Sequence, residues 1–192
     1  MKRKLLVVDT ETAGLNASTA SILSLGAVIY QDGAVCGEFY TLIREHELSF
    51  PVEATPKSAL EVNGIKVADL LAAPSPWEVV HRFVQWLMEN ELYGQQLLVG
   101  HKIEFDVSFM RRLWKEAGQD FEKQFGHRFM CTQSTAILMD WMGRMSLNGQ
   151  SPSLDNVAGL LGCKRVSEVH NALEDARLTA KVLAAQIRKL SG

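Results

Sequence analysis

Asp9 and Glu11 stand two apart behind the run Lys4-Leu5-Leu6-Val7-Val8, and in extended backbone residues i and i+2 point to one side. Two carboxylates beside an apolar strand repel each other and lose hydration, so without a partner at least one tends to protonate. A hard divalent cation resolves this by supplying opposite charge to oxygen ligands. A strand ending in a solvated turn, Asp-Thr-Glu-Thr-Ala-Gly, accounts for the pair equally well. Asp106 falls in the first turn of a helix reached through Gly100-His101-Lys102. The helix dipole alone favours an acid there, but crevices in α/β sheets open at the carboxyl ends of strands. Near the C-terminus, Asn171 is a suitable N-cap and Glu174 has capping-box spacing. That makes His170 the N′ residue and Asp175 the N4 residue, positions that meet across a helix start. The ordinary reading of an isolated His before a helix is a surface residue; here it faces a carboxylate.

The elements that must position these groups follow from periodicity. Lys4–Val8 is a continuous apolar run expected of a strand buried on both faces. Ile22–Tyr30 alternates loosely and stops at Asp32-Gly33, a hairpin signal, and Val35–Ile43 is its return strand. Residues 44–76, with Pro51, Pro56, Pro74 and Pro76, read as an ordered excursion over the sheet. Trp77–Asn90 and Glu104–Ala117 carry helical apolar stripes, the second closed by Gly118. Leu97–Val99 and Arg128–Cys131 are short strands, and a helix follows Cys131 to about Trp141. Ser153 caps a helix closed by Gly162, and the last helix runs from about Ala172 to Leu190. A three-strand meander followed by alternating helices and strands implies an α/β fold, a mixed sheet flanked by helices, in one domain spanning 1–192.

Composition narrows the function classes. At 192 residues, 47% hydrophobic and 22% charged, the chain has the profile of an ordinary soluble globular protein. Its longest apolar runs are too short to cross a bilayer, and Asp9 cuts the N-terminal run too early for a signal peptide. A cytoplasmic protein starting directly on a strand is expected, with no membrane partner. Cys36, Cys131 and Cys163 are scattered and odd in number, which predicts reduced, buried thiols. Net charge is −2; setting the four candidate metal-facing acids aside leaves a mildly positive remainder, suited to gripping a few phosphates. His46, His81 and His127 read as solvated, and Trp77, Trp86, Trp114 and Trp141 as core. The phosphate-loop, dinucleotide and serine-hydrolase signatures are missing.

Three segments together resemble the DEDDh (DnaQ-like) 3′–5′ exonuclease family, whose fold is RNase H-like. Val8-Asp9-Thr10-Glu11-Thr12-Ala13-Gly14-Leu15 is similar to its first motif. Gly100-His101-Lys102-Ile103-Glu104-Phe105-Asp106 is similar to the second, and His170-Asn171-Ala172-Leu173-Glu174-Asp175-Ala176 to the third. Ser153-Leu154-Asp155 and Leu161-Gly162 resemble the helix before that third motif. The motifs stand in family order across nearly the whole chain. Ala13 replaces a frequent threonine, Lys102 stands where asparagine is usual, and Asn63 lies in a segment that often carries histidine before Gly64.

The resemblance implies a five-stranded sheet and a phosphodiester hydrolase using two divalent cations, Mg²⁺ with Mn²⁺ able to substitute. Asp9, Glu11 and Asp175 would hold one ion, Asp9 would also touch the second, and Asp106 would ligate directly or through water. His170 would be the general base. The product would be a nucleoside 5′-monophosphate released from a nucleic acid 3′ end, with single-stranded DNA the favoured substrate. Thr12, Gly14, Leu15, Asn63, His101, Lys102 and Phe105 are the candidate substrate contacts, with Leu15 a wedge against the terminal base. Trimming of RNA ends and a non-cleaving end-binding module are the alternatives. A homodimer and association with a polymerase both stay open.

Overall fold

The computed structural model describes residues 4–45, 60–61, 63–165 and 171–191. His46, Pro51, Pro56 and His170 lie outside the described residues. Strand β1 is Leu5–Thr12, β2 is Ile22–Gln31 and β3 is Ala34–Leu42, with β1–β2 and β2–β3 antiparallel. Asp32 and Gly33 both take positive φ, 53° and 95°, the backbone that a tight hairpin turn needs. The chain continues through helix α1 (Val67–Leu71) and helix α2 (Pro76–Glu89) to strand β4 (Leu98–Gly100) and helix α3 (Ile103–Glu116). Then come α4 (Phe121–Phe125), β5 (Phe129–Cys131), α5 (Thr132–Trp141), α6 (Leu154–Leu160) and α7 (Ala172–Ser191). The sheet order is β3-β2-β1-β4-β5, with β4 parallel to both neighbours. This is the expected mixed sheet, a meander plus parallel strands.

Alternation along β1 divides the core. Leu6 and Val8 join the large cluster with Phe83 of α2 and Phe109, Leu113 and Trp114 of α3. Val7 joins the cluster formed by Val28, Val99 and Ala176, Ala180 and Leu183 of α7. One face of β1 therefore meets α3 and the other meets α7, and each face must carry its own half of any site at the strand's end.

The approach of α7 is set by Gly26, the partner of Asp9 across β1–β2. A Cβ built on Gly26 would lie 2.2 Å from the carbonyl carbon of Ala172 and 2.4 Å from the nitrogen of Leu173. The first turn of α7 thus rests directly on the strand backbone. A glycine inside a strand is a recognised mark of such close approach.

Several expectations are corrected. Asp9 and Glu11 lie within β1, which runs through them to Thr12. At the start of α7, Glu174 N–H donates to Asn171 Oδ1 at 2.9 Å, the expected N-cap, and the Glu174 carboxylate pairs with Arg177. Arg177 also reaches Glu38 on β3, tying the start of α7 to the edge strand of the sheet. Of the tryptophans, Trp114 is core, but Trp77 and Trp141 are 57% and 84% exposed, since a helical stripe does not reveal which faces are covered. Trp77 stacks on His81 at 3.9 Å. The cysteines are free, but Cys36 is exposed and the other two are half-buried.

Among the described residues, the excursion before α2 returns to the end of β3, where Arg44 N–H donates to the Pro74 carbonyl at 2.9 Å. Glu45 is buried there against Arg112 of α3 at 2.8 Å, fastening this end of the sheet to α3. No helix among the described residues is long and apolar enough to cross a membrane.

The Gly26→Ala change has no flexible side chain to push aside, so α7 must move. It should destabilise the fold by about 1–3 kcal/mol, the range for overpacking a tight contact, measured by urea denaturation. An unaltered denaturation midpoint would contradict the contact.

Candidate active site

Asp9 and Glu11 share the parity of Val7 and therefore face α7, whose first turn presents Asp175. One carboxylate oxygen from each of Asp9, Glu11 and Asp175 can be chosen so that all lie within 4.8 Å of one another. The shared face follows from the two-residue period of a strand, and the third member arrives because Gly26 seats α7 so low.

Asp106 reaches the same place from the opposite face. Strand β4 pairs with β1 only at Leu6 and Val7, which leaves the β4-side edge of β1 open beyond them. Asp106, in the first turn of α3 and 3% exposed, fills that edge: its Oδ1 accepts from the Thr10 N–H at 2.9 Å and from Thr10 Oγ1 at 2.8 Å. One oxygen is thereby committed to fixing the carboxylate. Thr10 belongs to this arrangement although its position between Asp9 and Glu11 gave no sequence sign of it.

The electrostatics follow from crowding. Burial first, then the charges of Asp106 and Glu11, hold the Asp9 carboxyl well above the usual carboxylate range. Burial also raises Glu11 and Asp106, with the Thr10 hydrogen bonds pulling Asp106 back. The partial remedy is Arg165, a residue that the sequence reading passed over. Its Nε donates to Asp155 of α6 at 2.8 Å, its Nη1 pairs with Asp175, and its charge lowers both Asp9 and Glu11. A guanidinium among three carboxylates marks where a cation is stable. With an all-oxygen donor set, the residues fit a hard divalent ion.

The remaining candidates take distinct positions. Leu15 is 89% exposed beyond β1, while Thr12 Oγ1 donates to the Gly14 carbonyl at 2.8 Å. Lys102 is exposed and holds the left-handed conformation, φ 61°, as N-cap of α3; an asparagine tolerates that backbone better than a lysine does. Phe105 is half-buried on Phe109 at 5.0 Å, and Asn63 is buried. Both ring nitrogens of His101 are used internally: Nδ1 meets Thr132 Oγ1 at 2.9 Å, and Nε2 donates to the Pro152 carbonyl at 2.8 Å. Burial lowers its pKa, so His101 clamps the end of β4 to the loop before α6.

The geometry can be set beside known proteins. The RNase_T exonuclease family matches residues 6–183. DNA polymerase III PolC-type from Thermotoga petrophila is 33% identical over 179 residues, 92% of this chain but 11% of that protein. The DNA polymerase III subunit epsilon of Aquifex aeolicus is 27% identical over 186 residues, covering 96% of this chain and 81% of the subunit. The chain thus spans about a tenth of the PolC-type relatives it matches. Among solved structures, E. coli exonuclease I in complex with a dT13 oligonucleotide superposes with a TM-score of 0.74 at 15% identity. That likeness covers 98% of this chain and 42% of exonuclease I, and it extends to the fold.

Two outcomes are expected. Arg165→Met removes the resident cation, so Mn²⁺ affinity by calorimetry should rise about five- to tenfold, the scale of one partly screened charge pair. The metal-free variant should melt lower than the parent. Identical affinity in parent and variant would exclude Arg165 as a competitor. Because the folded pKa values of Asp9, Glu11 and Asp106 are raised, their contribution to metal-free stability is present in acid and lost as pH rises through those values. Metal affinity climbs over the same window, since ligands must be deprotonated. Titrations of metal-free and Mn²⁺-loaded protein against pH should therefore give opposite slopes.

Proposed function

The chain belongs to the RNase_T exonuclease family, and from that premise we propose that it is one exonuclease domain, 1–192, removing nucleoside 5′-monophosphates from the 3′ end of single-stranded DNA. The observation that carries this reading is the convergence of Asp9, Glu11 and Asp175 on one point, with Asp106 fixed beside them by Thr10.

In this reading Asp9, Glu11 and Asp175 hold one divalent ion, Asp9 shares a second, and Asp106 offers the carboxylate oxygen that Thr10 does not occupy. Two Mg²⁺ ions, with Mn²⁺ as substitute, would when bound supply positive charge to the phosphate and acidify the attacking water. His170, outside the described residues, is assigned as general base from its N′ position ahead of Asn171 and from the family motif. With an ordinary pKa of about 6.5, an imidazole takes a proton near neutrality. Leu15 stands out into solvent shortly after β1, and apolar packing on a terminal base would read no sequence. Lys102 is exposed at the head of α3, one turn before Asp106, and offers a cation to a phosphate.

The choice of DNA over RNA rests on the DNA polymerase III relatives and on the dT13 complex of the structural neighbour. Those relatives also make a polymerase a reasonable partner, and a cytoplasmic location fits the same role. The exoribonuclease reading is tested alongside.

Asp9→Asn should abolish cleavage of end-labelled single-stranded DNA at saturating Mg²⁺ while the melting temperature holds; normal cleavage would sink the metal assignment. Parallel digestion of duplex DNA and RNA ranks the substrates. His170→Ala should slow the reaction by about 10²–10⁴ near pH 7, the usual scale of general-base catalysis, with partial recovery in alkali. A pH profile matching the parent's would remove His170 from that role.

A further inference from the structure

Further along α7 from the carboxylates, on the face of the sheet that this helix covers, lies an open pocket of about 590 Å³. Its walls are the β2–β3 hairpin and the segment after α6, and α7 forms its floor. Lys164, Lys181 and Arg188 line it with Tyr30 and Cys163. All three basic residues are exposed. Among the described residues no carboxylate pairs with any of them and none lines the pocket; the recorded polar contact is Lys181 Nζ donating to the Lys164 carbonyl at 3.1 Å. The charges of Arg188 and Lys181 both reach the Cys163 thiol, so these heads converge. In a chain of net charge −2, three cations gathered with no acid among the described lining residues suit a polyanion.

We propose that this pocket is a second nucleic-acid contact, gripping phosphates of the strand that continues 5′ from the cut; this rests on the exonuclease reading above. Its position suits the role. Tyr30 pairs with Leu5, at the opposite end of β1 from Glu11, so the pocket lies at the far end of the sheet. Helix α7 joins the two places. Lys181 and Arg188 follow Asp175 by about 9 and 20 Å along the axis, at 1.5 Å per residue. An extended strand leaving the carboxylates along α7 meets one cation and then the other. The pocket also has the two components that sequence-independent single-strand binding uses: a basic lining for phosphates, and in the half-buried Tyr30 an aromatic ring for a base. Its volume admits a nucleotide.

The test is the variant Lys164→Gln/Lys181→Gln/Arg188→Gln in the full chain. Two substrates are compared: a dT16 strand, and the p-nitrophenyl ester of thymidine 5′-monophosphate, which reaches only the carboxylates. The variant should raise KM for dT16 at least about tenfold and leave the ester's kinetics unchanged. The slope of log KM against log salt should fall by about 2, the release expected for three single-strand phosphates. Adding dT16 should also protect Cys163 from alkylation in the parent. Unchanged KM and salt slope for dT16 overturn the pocket while the exonuclease reading stands; a parent that cleaves no nucleic acid overturns that reading and this one with it. Equal loss on both substrates, or binding of a poly-glutamate peptide lost by the variant while dT16 binding persists, likewise overturns the assignment.

Discussion

The geometry of the acidic cluster depends on a contact between backbones. Where Gly26 exposes the bare β2 chain, the first turn of α7 settles onto it, and Asp175 arrives beside Asp9 and Glu11. Side chains do not set that spacing; strand and helix backbone do. The carboxylates therefore reach one point, and their mutual repulsion is opposed by the packing of α7 through Ala176, Ala180 and Leu183. The same fold recurs at 15% identity in exonuclease I.

The two faces of β1 contribute unequally. The α7 face supplies three carboxylates within reach of one ion, whereas the α3 face supplies Asp106 at the open strand edge. Asp106 thus serves as an edge cap, satisfying a buried N–H that the short β4 cannot reach, as well as a charge. The cluster is asymmetric for this reason, with one tightly grouped trio and one acid whose second oxygen remains available.

Much of this was legible in the residues and some was not, for identifiable reasons. The facing of Asp9 and Glu11 follows from period-two alternation, and the start of α7 from the Asn171 cap; both are local rules. The link from Thr10 to Asp106 joins residues 96 apart and obeys no local period. Arg165 lies in a connecting segment where charges carry no pattern. Gly26 did leave a sign, a glycine inside an apolar strand, which went unread. Trp77 and Trp141 were misplaced because a stripe identifies a helix without saying what covers it.

Arg165 has a practical corollary. In many small metalloproteins the ion is a fold-making staple, and chelators unravel the chain. Here Arg165 already lies against the carboxylates that would hold the ion, and offsets part of their charge. On the proposed reading, the polypeptide would fold before it meets a divalent cation and become active only on binding one. Stripping the ion would quench such an enzyme reversibly and leave its architecture ready for reloading.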